Sequence, residues 1–156
     1  MQRQLGLNEG VVSKLREAWK EEVKSTTVSR LQREVARVLE EELGVESAME
    51  VTTEDGLLSI DVVPRGTKVA VEVDGPSHFV RTLRTDGNGG GRGDGVGAPK
   101  ANGATLARRK LLGARGWTVV SVPYFEWDAC EGDAARQARL LVKLPPLAAL
   151  ARRSAP

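Results

Sequence analysis

The apolar positions of the chain change period along its length, and each change predicts an element. Val12, Leu15, Trp19 and Val23 fall on one face of a helix over residues 11–24. Ser25-Thr26-Thr27 offers an N-cap for a second helix, with Val28, Leu31, Val35, Val38, Leu39 and Leu43 as its stripe and Gly44 at its end. The acidic run Glu40-Glu41-Glu42 lies at the wrong end of that helix for its dipole and reads as a small cost. The period then drops to two. Met49–Thr53, Leu57–Val63 and Lys68–Asp74 read as strands joined at Asp55-Gly56 and Pro64-Arg65-Gly66, an antiparallel meander. Thr105–Arg115 returns to helical spacing. Ala107, Leu111 and Ala114 form its predicted buried face, with Leu106 and Leu112 beside them, and Gly116 ends it. Trp117–Val122 is an apolar, β-branched strand expected at the sheet centre, because it follows a crossover helix. Pro123-Tyr124-Phe125-Glu126-Trp127 closes it with aromatics. Asp133 caps a last helix, Ala134–Leu144, stopped by Pro145-Pro146. The order α, α, β-β-β, α, β, α indicates an α/β sandwich built on a mixed sheet.

The third strand carries the candidate chemistry. Val69, Val71 and Val73 alternate with Ala70, Glu72 and Asp74, so two carboxylates share the face opposite the valines. Gly75-Pro76 breaks the strand, and the only histidine of the chain, His78, follows. Asp61 precedes Glu72 by one hairpin and is expected to face it from the neighbouring strand. Clustered carboxylates repel, and a hard divalent cation relieves the repulsion, so Asp61 and Glu72 form a candidate Mg²⁺ site. The competing reading gives each acid an arginine partner or a turn to cap. His78 is the best general acid/base candidate, against a structural hydrogen-bonding role. Lys110 is placed to reach back over the sheet to the acids, while Arg108 and Arg109 read as a solvated helix face.

Net charge is only +2, so a nucleic-acid partner must rest on local clustering. Residues 81–115 supply it, with eight basic side chains against two acids. Tyr124, Phe125 and Trp127 offer rings for stacking on unpaired bases, or an anchor between strand end and helix. The glycine-rich run 87–97 reads as a mobile loop; the Gly-Lys-Ser/Thr of a phosphate-binding loop is missing. A lone Cys130 allows no internal disulfide and excludes a cysteine zinc site. No apolar run is long enough to span a bilayer. The N-terminus carries acids and lacks a secretory apolar region, so it does not read as an intact targeting signal, and the chain is compatible with a fragment of a longer precursor.

Taken together, Ile60-Asp61, then Ala70-Val-Glu72-Val-Asp74-Gly-Pro-Ser-His78-Phe79, then Leu106-Ala-Arg108-Arg109-Lys110-Leu-Leu112, and Gly116 through Trp127, closely resemble the RAP domain, over roughly residues 25–144. The resemblance implies an RNA-binding module, abundant in apicomplexans and found in plastid and mitochondrial factors, often behind helical repeats. By that reading residues 1–24 are a helical extension, 87–103 an insertion and 145–156 a flexible tail. RAP domains in turn resemble the PD-(D/E)-x-K, or restriction-endonuclease-like, fold, nearest to the very-short-patch-repair endonucleases. The resemblance places Asp61 and Glu72 at the two acidic motifs and Asp74 where the typical nuclease has its lysine, with Lys110 a migrated lysine and His78 a repair-type histidine. It implies transcript processing, stability or translation in chloroplast or mitochondrion. Arg81, Arg84, Lys100, Arg108, Arg109 and Lys110 would contact phosphates, and Tyr124 or Trp127 would stack. A Mg²⁺-dependent endoribonuclease using Asp61, Glu72, Asp74 and His78, and a catalytically inert protein-interaction module, are the alternatives.

Overall fold

The computed structural model describes residues 29–81 and 98–144, together with positions 10, 13, 14, 17 and 18. The stripe expected over residues 11–24, Arg84, the glycine-rich run 87–97 and the tail 145–156 lie outside the described residues, apart from positions 13, 14, 17 and 18 of the first.

Helix α1, Arg30–Arg37, starts at Ser29 rather than at the 25–27 gap. The Ser29 hydroxyl accepts the Gln32 N–H, and the Gln32 side chain accepts the Ser29 N–H, a reciprocal capping box. The helix widens into a π-turn, Val38–Glu42. Gly44, at φ +62°, then reverses the chain in a conformation costly for any side chain. Strands β1 (Ser47–Thr52), β2 (Ser59–Pro64) and β3 (Val69–Asp74) form the expected antiparallel meander. A 3₁₀ turn, Pro76–His78, leads to β4, Phe79–Val80, which pairs with β5, Lys100–Ala101. Residues 100–101, read as the end of the insertion, are therefore ordered into a strand. Helix α2 is Gly103–Ala114, β6 is Thr118–Pro123, α3 is Tyr124–Asp128 and α4 is Gly132–Lys143.

The sheet order is β1-β2-β3-β6, with β6 parallel to β3. The crossover is as expected, but its consequence is not: β6 lies at an edge, and β3, buried along its whole length, lies inside. Val69, Val71 and Val73 pack with Val35 of α1, Val38 and Leu39 of the π-turn that continues it, and Leu140 of α4. The opposite face packs Ile60, Val63 and Ala70 under Leu112 of α2. The architecture is thus three layers: α1 and α4, the mixed sheet, and α2.

Helix α2 does not bury the face its apolar residues predicted. Leu106 and Leu111 are each 48% exposed, while Thr105 and Leu112 are buried and Arg108 and Arg109 lie between them on the sheet side. The 105, 108, 109, 112 row is one helix face. What selects it lies underneath, in Glu72 and Asp74, 3% and 1% exposed. Burying a leucine contributes about 1.5–3 kcal/mol. Leaving a buried carboxylate without its ionic partner costs about 3–5 kcal/mol. With two acids to neutralise, the arginine face wins.

Candidate nucleic-acid interface and its buried acid cluster

Asp61 and Glu72 do face one another, as their neighbouring positions on β2 and β3 require. The register pairs Val62 with Val71, and beyond that pair the two strands separate. At the opening the Asp61 side chain replaces a backbone partner: its Oδ2 accepts the Val73 N–H at 2.7 Å. Burial raises the Asp61 pKa, against the lowering effect of that N–H and of Arg108. Glu72 is raised further, to about 7, first by burial and then by the charge of Asp61, outweighing Arg108.

Arg108 is the cation of this cluster. Its Nε donates to Glu72 Oε2 at 2.6 Å, and its Nη2 donates to the Ser59 carbonyl. Burial lowers the Arg108 pKa, but the bond and charge of Glu72 and the charges of Asp61 and Glu50 together leave it raised. Lys110, the residue expected to reach the acids, is exposed and pairs with none of them. Helical phase explains the exchange: 108 and 109 share the inward face with 105 and 112, and 110 does not.

Arg109 does the same for Asp74. Its Nη2 donates to Asp74 Oδ2 at 2.6 Å and to Ser121 Oγ at 2.7 Å, and Ser121 Oγ donates to the same carboxylate oxygen at 2.5 Å. The other oxygen of Asp74 lies 3.1 Å from His78 Nδ1. Asn102 fixes the histidine's turn against the start of α2. It caps the helix by accepting the Thr105 N–H, its amide donates to the Ser77 carbonyl, and its backbone N–H donates to the His78 carbonyl.

Glu50 and Gln32 belong to the cluster and were not singled out from the sequence. Glu50 sits at φ +52°, an unusual conformation for a side-chain-bearing residue, and the β1–β2 register omits it. Its carboxylate accepts Gln32 Nε2 at 2.8 Å and Ser59 Oγ at 2.7 Å. The available signal was a glutamate inside a six-residue strand.

Asp61, Glu72, His78, Arg108 and Tyr124 line a cavity of about 670 Å³ that also reaches Ser29 at the start of α1. The acids of the cluster are already engaged. Asp74 holds Arg109, Ser121 and His78; Asp61 holds Val73 N–H and Gln32; Glu72 Oε2 holds Arg108. Among the described residues no group of three or more His, Cys, Asp or Glu side chains is placed to hold a metal. As they stand, the donors do not fit a divalent ion; the competing reading, an arginine for each acid, describes Glu72 and Asp74. Glu72 Oε1 is buried without a hydrogen-bond partner.

The rim is cationic and aromatic. Phe79, Tyr124 and Phe125 cluster with ring centroids 5.1–6.0 Å apart, and exposed Arg81 donates to the Tyr124 hydroxyl at 3.2 Å. Lys100 is exposed opposite Val80 in the β4–β5 pair. Trp127 is no stacking platform: it is fully buried, its Nε1 donates to Glu34 at 3.2 Å, and Arg136 covers its ring at 5.2 Å. Arg108 and Arg109 are likewise committed inward rather than free for phosphates.

Comparison with known proteins agrees with this region. Residues 71–141, from β3 through most of α4, match the family model of the RAP domain. A RAP domain-containing protein of Oryza sativa subsp. japonica, described as chloroplastic, is 37% identical over 105 residues, covering 67% of this chain and 14% of that protein. The chain thus spans about 14% of the length of the relative it matches. No solved structure matches it. The matched residues include Glu72, Asp74, His78, Arg108, Arg109 and the aromatic edge, while Gln32, Glu50 and Asp61 lie before them, and the chain belongs to the RAP-domain family.

Proposed function

We propose that this chain is the RNA-binding RAP domain of a plastid post-transcriptional factor acting in transcript processing, stability or translation. The observation that carries the reading is the RAP match over residues 71–141. The chloroplastic description of the rice relative supports the plastid, and the small share of that protein covered supports a module within a longer chain, with helical repeats as its expected neighbour. No helix among the described residues is long and apolar enough to cross a membrane.

RNA lies along the rim rather than in the acid cluster. Arg81, Lys100 and Lys110 contact phosphates, with Arg84 continuing the series in sequence, and Tyr124 offers a face to an unpaired base. The carboxylates below would repel a phosphate, which keeps the backbone outside. The finer reading of the fold is restriction-endonuclease-like. Its support is the mixed sheet, the Asp61–Glu72 pair where β2 and β3 part, and a basic residue delivered from the next helix, Arg108 in place of Lys110. A Mg²⁺-dependent ribonuclease on Asp61, Glu72, Asp74 and His78 would first require Arg108 to leave Glu72.

The test is binding of single-stranded and duplex RNA by fluorescence anisotropy across a salt series. The logarithm of the binding constant should fall linearly with the logarithm of salt, and Arg81→Ala should reduce the slope by about one. Binding without salt dependence overturns the phosphate contacts. Cleavage of the same RNAs in Mg²⁺, lost in Asp61→Ala, would establish the ribonuclease instead. Neither binding nor cleavage would leave a protein-interaction module.

A further inference from the structure

Three carboxylates of the cluster share one guanidinium. Glu72 bonds Arg108 directly at 2.6 Å, while Asp61 and Glu50 act on it through their charges. Arg108 bridges strands as a metal ion would: it ties β3, through Glu72, to β2, through the Ser59 carbonyl, where the two strands part. A guanidinium has donors in a fixed planar fork and cannot lose its charge in a protein, so it can do this permanently. One acceptor in the cluster is left over. Glu72 Oε1 is buried in a residue only 3% exposed and has no partner.

We infer that Arg108 is the resident cation of this cluster, standing where a divalent metal ion would otherwise be required, and that removing its charge opens a divalent-cation site at Glu72 and Asp61. The inference concerns the buried acids alone and holds whether or not the rim binds RNA. Three acids facing one fixed cation leave no opening for a second while Arg108 is in place. Take the guanidinium away and the same acids repel, with Glu72 offering two unpartnered oxygens to a small, hard cation.

The experiment is a MnCl₂ titration of the purified chain, followed by calorimetry and by thermal unfolding, with EDTA as the control. The wild type should give no heat above dilution and the same melting temperature in Mn²⁺ and in EDTA. Arg108→Ala should melt roughly 5–15 °C lower in EDTA. It should recover several degrees as Mn²⁺ saturates it, and Arg108→Ala/Glu72→Gln should lose that recovery. Arg108→Met keeps the length of the side chain and carries the same expectation if the alanine variant does not fold. Saturable Mn²⁺ binding by the wild type that Glu72→Gln abolishes overturns the inference. So does a folded Arg108 variant whose melting temperature ignores Mn²⁺.

Discussion

Glu72→Gln should change how stability depends on pH, and its size follows from the geometry. Glu72 is 3% exposed, beside Asp61, and its pKa rises from 4.5 to about 7 on folding. A carboxyl raised in this way favours the fold in its protonated form. Its contribution is complete below about pH 4.5, declines as pH rises, and is gone above about pH 7. At 1.36 kcal/mol per pH unit the decline amounts to about 3 kcal/mol. Glutamine has nearly the same shape, keeps a carbonyl for Arg108 and cannot ionise. Urea unfolding of both chains between pH 4 and 8.5 should therefore show the variant no more stable at the acid end and about 3 kcal/mol more stable at pH 8. A flat difference curve, or one that falls with pH, would refute the claim that Glu72 is held against its charge.

Two other substitutions separate structural from surface roles. Asp74→Asn weakens the anchor of Arg109, Ser121 and His78 together and should cost about 2–4 kcal/mol by urea unfolding, because the partly buried Arg109 then loses its charge partner. Trp127→Ala should cost about 3–5 kcal/mol by the same measurement, as expected of a fully buried ring; at a temperature where that variant stays folded, its RNA affinity should match the wild type.

The sheet was readable from the sequence because period-2 patterning fixes faces. Val69, Val71 and Val73 against Ala70, Glu72 and Asp74 placed the acids correctly, and one hairpin placed Asp61 opposite Glu72. The reading of α2 failed for an instructive reason. Counting apolar residues put Leu111 inward and the arginines outward, although acids already assigned to the face beneath needed cations above them. Strand acids and helix arginines had to be read jointly. The same lack of tertiary context hid Trp127, whose burial depends on Glu34 and Arg136 from other elements. Glu50 was missed because nothing in the alternation of the strand marks its positive φ, which drops it from the β1–β2 pairing while the register continues on either side.

The Asn102 clamp has a topological consequence. It holds the turn at Ser77 and His78 to the first turn of α2, and the β4–β5 pair brings Val80 beside Lys100. The two ends of the intervening stretch are therefore fastened independently of its contents. Extending such a closed stretch is cheap, about 0.6 kcal/mol for each doubling of its length. Insertions can therefore accumulate between the histidine and the arginine helix while both remain in place, and that interval is the natural position for grafting a label or a second binding module.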